Sequence, residues 1–361
     1  MKITNLIALA TLSASSSIFA CSTFQLENST DAIMAKSYDY DTTTGYAFLN
    51  TRGRVKTAIF TDLKHLLKAK KWTAKYGSVS FTQANQEIAF SGMNEEGLAT
   101  EFLDLDETIY PAYDKSKKYI SEAQIGQYLL DNASNVKEAI ALLEETGVAK
   151  LGAYLHTFIC DASKECAAIE FMNGKMVVST GASMPVKAIT NTNYVKSLAT
   201  VHEANLARLH DYEGTTMDDR SIARFKLVSE ASVNYDGKTD PVAYALKALD
   251  SVRMNNPSTE FNKRLEKTQW NIVYNQTAKK IYFKTTAAPT LKEIDFSGLD
   301  FSCSKEVKFY NMNTDFTGNV TELFKPITMK DRKDLINQLS VASSFQKLVV
   351  PYTSSITKCE K

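Results

Sequence analysis

The order of strand-like and helix-like segments predicts an α+β protein built on two antiparallel sheets covered by helices. Blocks of strands, helices, strands, helices and strands follow one another, without the regular strand–helix alternation that a doubly wound parallel sheet requires. Residues 21–361 contain no internal repeat and no low-complexity linker, so they read as one domain with enough chain for a full core. Tight hairpin signals, Asn173-Gly174 above all, join neighbouring runs and favour antiparallel pairing.

Tyr46 to Thr51 and Val55 to Thr61 read as strands around the turn Arg52-Gly53-Arg54. Ser78 to Thr82, Ile88 to Phe90 and Leu98 to Leu103 follow, broken by Asn85 and Gly97. Helical signals come next. Ser121 to Leu130 carries Ile125, Leu129 and Leu130, and a second helix from Asn135 carries Val136, Ile140 and Leu143 and stops at Gly147. Strands return at Tyr154 to Cys160, Cys166 to Met172 and Lys175 to Ser179. A helix from about Asp218 presents Ile222, Phe225 and Leu227, and Asp240-Pro241 supplies an N-cap followed by proline at the first helical position. Trp270 to Tyr274 and Lys279 to Thr285 read as a hairpin.

The start of the chain carries the first functional signal. Residues 1–20, MKITNLIALATLSASSSIFA, combine a positive start at Lys2, a short apolar run from Leu6 to Leu12 and a small residue, Ala20. That pattern predicts a secretory signal cleaved after Ala20, and its apolar run is too short to span a bilayer. Cleavage would leave Cys21 as the first residue, with thiol and amine on one residue. The α-amino group has a pKa of about 7.7–8.0 and the thiol about 8.5, so one can act as base for the other near neutral pH. The same residues also fit a lipoprotein signal that anchors the protein through a lipidated cysteine, or an early cysteine held in a disulfide.

The formal net charge is +1, and losing Lys2 with the leader brings it near zero. There is no basic tract of the kind that suits nucleic acid, and no second apolar run approaches a membrane span. The four histidines, His65, His156, His202 and His210, form no close cluster and no HExxH motif appears, so the sequence predicts neither metal nor other cofactor. Five cysteines are present, Cys21, Cys160, Cys166, Cys303 and Cys359. If Cys21 is reserved for chemistry, Cys160 and Cys166 fit a cross-hairpin bridge, and Cys303 and Cys359 remain as a pair. Connectivity stays open in the sequence, as do four reduced thiols.

Seven strings then carry a resemblance. They are Cys21-Ser-Thr, Lys36-Ser-Tyr-Asp39-Tyr40, Trp72-Thr-Ala-Lys-Tyr-Gly77-Ser78, Gly92-Met-Asn-Glu-Glu-Gly97-Leu98, Ile189-Thr-Asn191, Ala223-Arg224-Phe225 and Thr268-Gln-Trp270. In this order, behind a cysteine released by signal cleavage, they resemble the choloylglycine hydrolase family of bile salt hydrolases and penicillin V acylases. That family belongs to the N-terminal nucleophile hydrolases, and the leader and WTAKYGS resemble its Gram-negative branch. The resemblance implies a four-layer αββα sandwich. It also implies hydrolysis of a linear, non-peptide C–N amide bond through a thioester.

It further implies roles. Cys21 is the nucleophile. Asp39 orients its amine or thiol. Asn191 donates to the oxyanion, and Arg224 lies near the cysteine and supports Asp39. Lys36 stands where most members have arginine; the charge survives without the bidentate fork. An exposed lysine at a strand end is the competing reading of that position. Asp104 occupies a position where bile salt hydrolases carry asparagine, and its backbone N–H is a candidate second oxyanion donor. Trp72, Tyr76 and Trp270 read as core residues. The expected partner is a small-molecule N-acyl amide: a phenoxyacetyl amide, bile salt, N-acyl homoserine lactone or N-acyl amino acid. A homo-oligomer stays open, and the expected location is periplasmic or secreted. A lipid-anchored binding protein without catalysis, or an acyltransferase or dipeptidase on a related scaffold, are the alternatives.

Overall fold

A strand buried at every position has to be covered on both faces. Ser22–Gln25 and Ile33–Tyr40 are two such strands, and they lie inside a computed structural model that describes residues 20–40, 43–83, 86–211, 216–255, 267–303 and 306–331, with Cys359. Of the expected leader only Ala20 is among the described residues, and Asn85 lies outside them.

The first sheet runs Ala188–Ile189, Ser22–Gln25, Ile33–Tyr40, Lys267–Asn275, Lys280–Thr285, Lys292–Asp295, Gly318–Asn319. Its pairs are antiparallel except the last, which is parallel. The second runs Lys175–Thr180, Cys166–Met172, Leu155–Cys160, Ala99–Asp104, Ser91–Asn94, Ser78–Thr82, Tyr46–Asn50, Lys308–Asn311, Lys325–Pro326. Apolar side chains from both sheets share one core: Phe81 meets Phe283 at 5.6 Å and Tyr38 meets Phe90 at 5.8 Å. Helices Met217–Val233 and Pro241–Ser251 pack on the first sheet, and Ile125–Asn132 packs on the second with Val136–Glu144 beside it. The layers are therefore helix, sheet, sheet, helix, as the resemblance implied.

Local signals hold where local chemistry decides. Asn135 caps its helix by accepting from Glu138 N, and Asp240 accepts from Ala243 N ahead of Pro241. The 217–233 helix starts one residue before Asp218 because Thr216 and Asp219 form a capping box. Asn173 and Gly174 have φ of 53° and 76°, the left-handed pair that a type I′ hairpin turn demands. Cys160 and Cys166 face each other across their hairpin and are bridged, and Cys303 is bridged to Cys359. Cys21 is the free cysteine.

Three expectations change. Ile88 to Phe90 is not a strand; regular pairing starts at Ser91, although Phe90 still bonds Phe81 O at 3.0 Å. The strand from Val55 stops at Thr57, with one further bond from Ala58 N to Lys70 O at 2.8 Å in the same register. Tyr76 is half-exposed, whereas Trp72 and Trp270 are buried.

Two of the strings build scaffold. In Trp72-Thr-Ala-Lys-Tyr-Gly77-Ser78, Trp72 Nε1 donates to the Asp131 carboxylate at 2.7 Å, and Lys75 N and Tyr76 N donate to Asp131 O at 2.7 and 3.0 Å. The same carboxylate is ion-paired with buried Lys56 at 3.0 Å and accepts from Gln127 Nε2 at 2.8 Å. In Gly92-Met-Asn-Glu-Glu-Gly97-Leu98, Asn94 Nδ2 donates to Leu130 O and Ala133 O at 3.0 and 2.7 Å, closing the end of the 125–132 helix. Gly97 has φ +87°, and a Cβ there would stand 2.7 Å from Gln276 O.

Asp131→Ala leaves the Lys56 ammonium buried without that carboxylate. The expected loss is about 3 kcal/mol, read as a lower urea midpoint at unchanged slope. A midpoint equal to that of the unmodified chain would show that Asp131 is not the anchor.

Candidate active site

Sheet register alone brings the first group of residues together. Thr23 pairs with Ile189 on one side and with Lys36 on the other. Carried back two positions, the same antiparallel registers set Cys21 opposite Asn191 and Tyr38, with Asp39 next along the strand. Cys21 is 1% exposed.

Asn191 follows the short strand Ala188–Ile189 and is pinned from three directions. Its backbone N–H donates to Ser221 Oγ at 2.9 Å, its Nδ2 donates to Asp104 O at 3.0 Å, and its Oδ1 accepts from an Arg224 guanidinium nitrogen at 3.0 Å. Ser221 also contacts the hydroxyls of Thr190 and Thr192 at 2.9 Å each, so one serine on the 217–233 helix holds the whole loop. On the opposite side Glu170 accepts from Tyr194 N at 2.9 Å and from buried His156 at 3.1 Å. Ser221, Glu170 and His156 were not among the expected residues, and their separation from Asn191 in sequence left no local signal.

Arg224 is fully buried on that helix. Its guanidinium donates to Cys21 O, to Ser22 Oγ at 3.1 Å and to Asn191 Oδ1. A buried guanidinium stays charged and has to be met by acceptors in a planar fork. Here the acceptors are the Cys21 carbonyl, the Ser22 hydroxyl and the Asn191 side-chain amide.

The Thr268-Gln-Trp270 string has a tethering role. Thr268 pairs with Asp39 in register, and its hydroxyl donates to Asp39 Oδ1 at 2.5 Å. Gln269 Nε2 donates to Tyr40 O at 2.5 Å, and Trp270 stacks on Tyr38 at 4.0 Å. A register shift between Thr268 and Trp270 lets consecutive residues reach the neighbouring strand in these different ways.

Lys36 is not the exposed lysine that its strand position allowed. It is fully buried between the sheets, ion-paired with Glu101 at 2.9 Å, and donates to Phe102 O at 2.6 Å. Glu101 also accepts from Ser91 Oγ at 2.5 Å and Tyr274 Oη at 2.6 Å. Burial pushes the Glu101 carboxyl up, opposed by Lys36. Glu101 was missed by sequence reading, since a lone glutamate in Ala99–Asp104 looks solvated. Asp104 closes the same strand, buried at 5%.

Burial pushes the Cys21 thiol up to about 12; Lys36 opposes the shift, the Asp39 carboxylate adds to it, a backbone hydrogen bond at Asp39 opposes it, and Asp104 adds to it. This describes the cysteine with Ala20 still attached through a peptide bond. Among the described residues there is no group of three or more His, Cys, Asp or Glu side chains able to hold a metal ion. Five of the seven strings thus converge on Cys21, and the arrangement offers a buried thiol flanked by a cation, a carboxylate and a fixed amide donor. That is the equipment of acyl transfer.

The family model for linear amide C–N hydrolases, choloylglycine hydrolase family, matches residues 21–309. A penicillin V acylase of Pectobacterium atrosepticum is 27% identical over 297 residues, 71% of this chain and 77% of that protein. The structure of a penicillin V acylase from Agrobacterium tumefaciens superposes with a TM-score of 0.71 at 26% identity, covering 85% of this chain and 98% of the other. A variant of the conjugated bile acid hydrolase from Clostridium perfringens gives 0.66 at 18% identity, covering 82% and 98%, which is a likeness of fold.

The thiol environment yields a pH test. In chain that retains Ala20, alkylation of Cys21 by iodoacetamide should rise about tenfold per pH unit from about pH 7 to 10 without levelling, because thiolate stays a minor species throughout. A plateau below about pH 9 would place the thiol in a different environment.

Proposed function

Since the chain belongs to the choloylglycine hydrolase family of linear amide C–N hydrolases, we propose that Cys21, freed by cleavage after Ala20, is its nucleophile, and that the protein is an exported amidohydrolase of N-acyl amides. The observation that carries this reading is that the one cysteine outside a disulfide is the buried residue on which Arg224, Asn191, Lys36 and Asp39 converge. Two disulfides fit an oxidising compartment.

Cleavage changes the electrostatics at the right atom. With Ala20 attached there is no α-amine, and the thiol is held near 12. Removing Ala20 adds an amine with a pKa of about 7.7–8.0 on the same residue. That amine can take the thiol proton, and its positive charge then favours the thiolate.

The thiolate attacks the amide carbon, forming the C–S bond. Negative charge moves to the carbonyl oxygen, for which the second Nδ2–H of Asn191 and the backbone N–H of Asp104 are the proposed donors. Each such donor is worth about 2.7–4 kcal/mol in the transition state. Asp104 O and Arg224 fix the asparagine beforehand, so no reorganisation is needed. The protonated amine passes its proton to the leaving nitrogen as the C–N bond breaks. The neutral amine then takes a proton from water, whose oxygen attacks the thioester, and the acid leaves as the C–S bond breaks.

Two relatives above 25% identity are penicillin V acylases, so phenoxyacetyl amides head the substrate list. N-acyl homoserine lactones, bile salts and N-acyl amino acids follow as amides with an apolar acyl part. No helix among the described residues is long and apolar enough to cross a membrane.

Mass spectrometry of exported protein should find Cys21 first and unmodified. Cys21→Ser, purified from the same export, should fold normally and lose nearly all activity on a panel of N-acyl amides. Retention of more than about a tenth of the rate, a difference of about 1.4 kcal/mol, would remove Cys21 as nucleophile.

Asp104→Asn should alter KM across acidic, neutral and amine-bearing acyl groups more than it alters kcat. The backbone donor survives the change while a carboxylate near the acyl group is lost. An equal fall in kcat for every substrate would instead give the carboxylate a part in the chemistry.

A further inference from the structure

Leucine is a residue that folding normally hides, yet three stand in solvent within one segment: Leu63 and Leu67 are 71% exposed and Leu66 47%. They lie in Asp62-Leu-Lys-His-Leu-Leu-Lys-Ala-Lys-Lys71, which begins as the short helix Leu63–Leu66. The segment is firmly seated. Asp62 accepts from His65 N at 2.9 Å and holds His65 Nδ1 at 2.7 Å. The His65 ring lies 5.1 Å from Phe60, 5.4 Å from Tyr113 and 5.1 Å from Tyr119. Tyr119 N donates to Lys68 O and Lys70 N to Tyr119 O, both at 2.8 Å. His65 thus faces the protein, and the leucines are displayed outward on a fixed base.

Cations surround them. Lys64, Lys68 and Lys71 belong to the same segment, and Lys115 and Lys118 to the turn that follows Tyr113. Lys64 lies 4.5 Å from the Tyr113 ring centre, which ties the two segments into one surface. None of these five ammonium groups is in an ion pair among the described residues. The acids of the two segments, Asp62 and Asp114, are spent on hydrogen bonds within their own turns. In a chain whose net charge is +1, this is a local surplus of positive charge around exposed apolar side chains.

We propose that this face docks on an anionic lipid surface. Leucines would enter the boundary between headgroups and acyl chains, and the lysines would meet headgroup phosphates. A second copy of the chain fits poorly, because a two-fold contact would set the same lysines against one another. The surface lies outside the group around Cys21, so the proposal stands independently of the amidase chemistry.

Co-sedimentation of the purified protein with vesicles tests it. Partitioning onto equimolar phosphatidylglycerol–phosphatidylcholine vesicles should exceed that onto pure phosphatidylcholine by about tenfold or more at about 0.1 M salt, and should weaken at about 0.5 M. The variant Leu63→Ser/Leu66→Ser/Leu67→Ser should lose about tenfold in partitioning, with melting temperature and hydrolysis of a soluble amide unchanged. Lys68→Gln/Lys71→Gln/Lys115→Gln/Lys118→Gln should lose the preference for anionic vesicles. Equal binding to both vesicle types, or undiminished binding by the triple serine variant, would overturn the proposal. So would absence of vesicle binding together with a concentration-dependent dimer that the serine variant abolishes, an outcome that assigns the face to a second copy.

Discussion

The buried guanidinium of Arg224 is the interaction on which the site depends. One side chain from the 217–233 helix reaches the carbonyl of Cys21, the hydroxyl of Ser22 and the amide oxygen of Asn191. Two separate pieces of chain are thereby held to the helix by one charged, planar group that cannot lose its proton. Removing it would leave an asparagine free to turn its amide and Cys21 without its backbone partner. The amide of Asn191 has a defined sense for the same reason: Arg224 takes the oxygen and Asp104 O takes one hydrogen, which leaves the second hydrogen on the nitrogen for a developing negative charge.

A second constraint is charge balance between the sheets. Lys36, Glu101, Asp39 and Asp104 are all buried, and each charge must be met by partners because the surroundings screen weakly. Lys36 divides its ammonium between Glu101 and Phe102 O, while Asp39 is held by Thr268. Within this set the Cys21 thiol is pushed up, chiefly by burial. A cation delivered at the nitrogen of Cys21 itself, as proposed, would fall where the balance is most in need of one. In the proposed mechanism the same step that frees the residue also activates it.

The comparison between sequence and structure divides along physical lines. The caps at Asn135 and Asp240 and the turn at Asn173-Gly174 follow from dihedral preferences and side-chain reach over three or four residues, so a reader of the sequence can place them. The bridge between Cys160 and Cys166 follows from a short hairpin. Ser22–Gln25 does not read as a strand, and Ile33–Tyr40 reads no further than a strand end at Lys36, because a segment covered on both faces has no polar–apolar alternation to betray it. Lys36 stands between two readings, and the partner that accounts for its burial is 65 residues away.

What the sequence determined by itself is the pattern of the expected leader, an odd count of cysteines, and the strings that carry the family resemblance. These are properties of residue type and spacing along the chain. The tertiary structure decided which strings touch. It separated the scaffold built on Asp131 and Asn94 from the group around Cys21. It supplied Glu101, Ser221 and Glu170 as the groups that position Lys36 and the Asn191 loop. It also left Leu63, Leu66 and Leu67 in solvent when a run of leucines predicts burial. The reason is common to all of these: they depend on strand register and helix docking between segments far apart in sequence, and those are set by the packing of the whole core rather than by any local stretch.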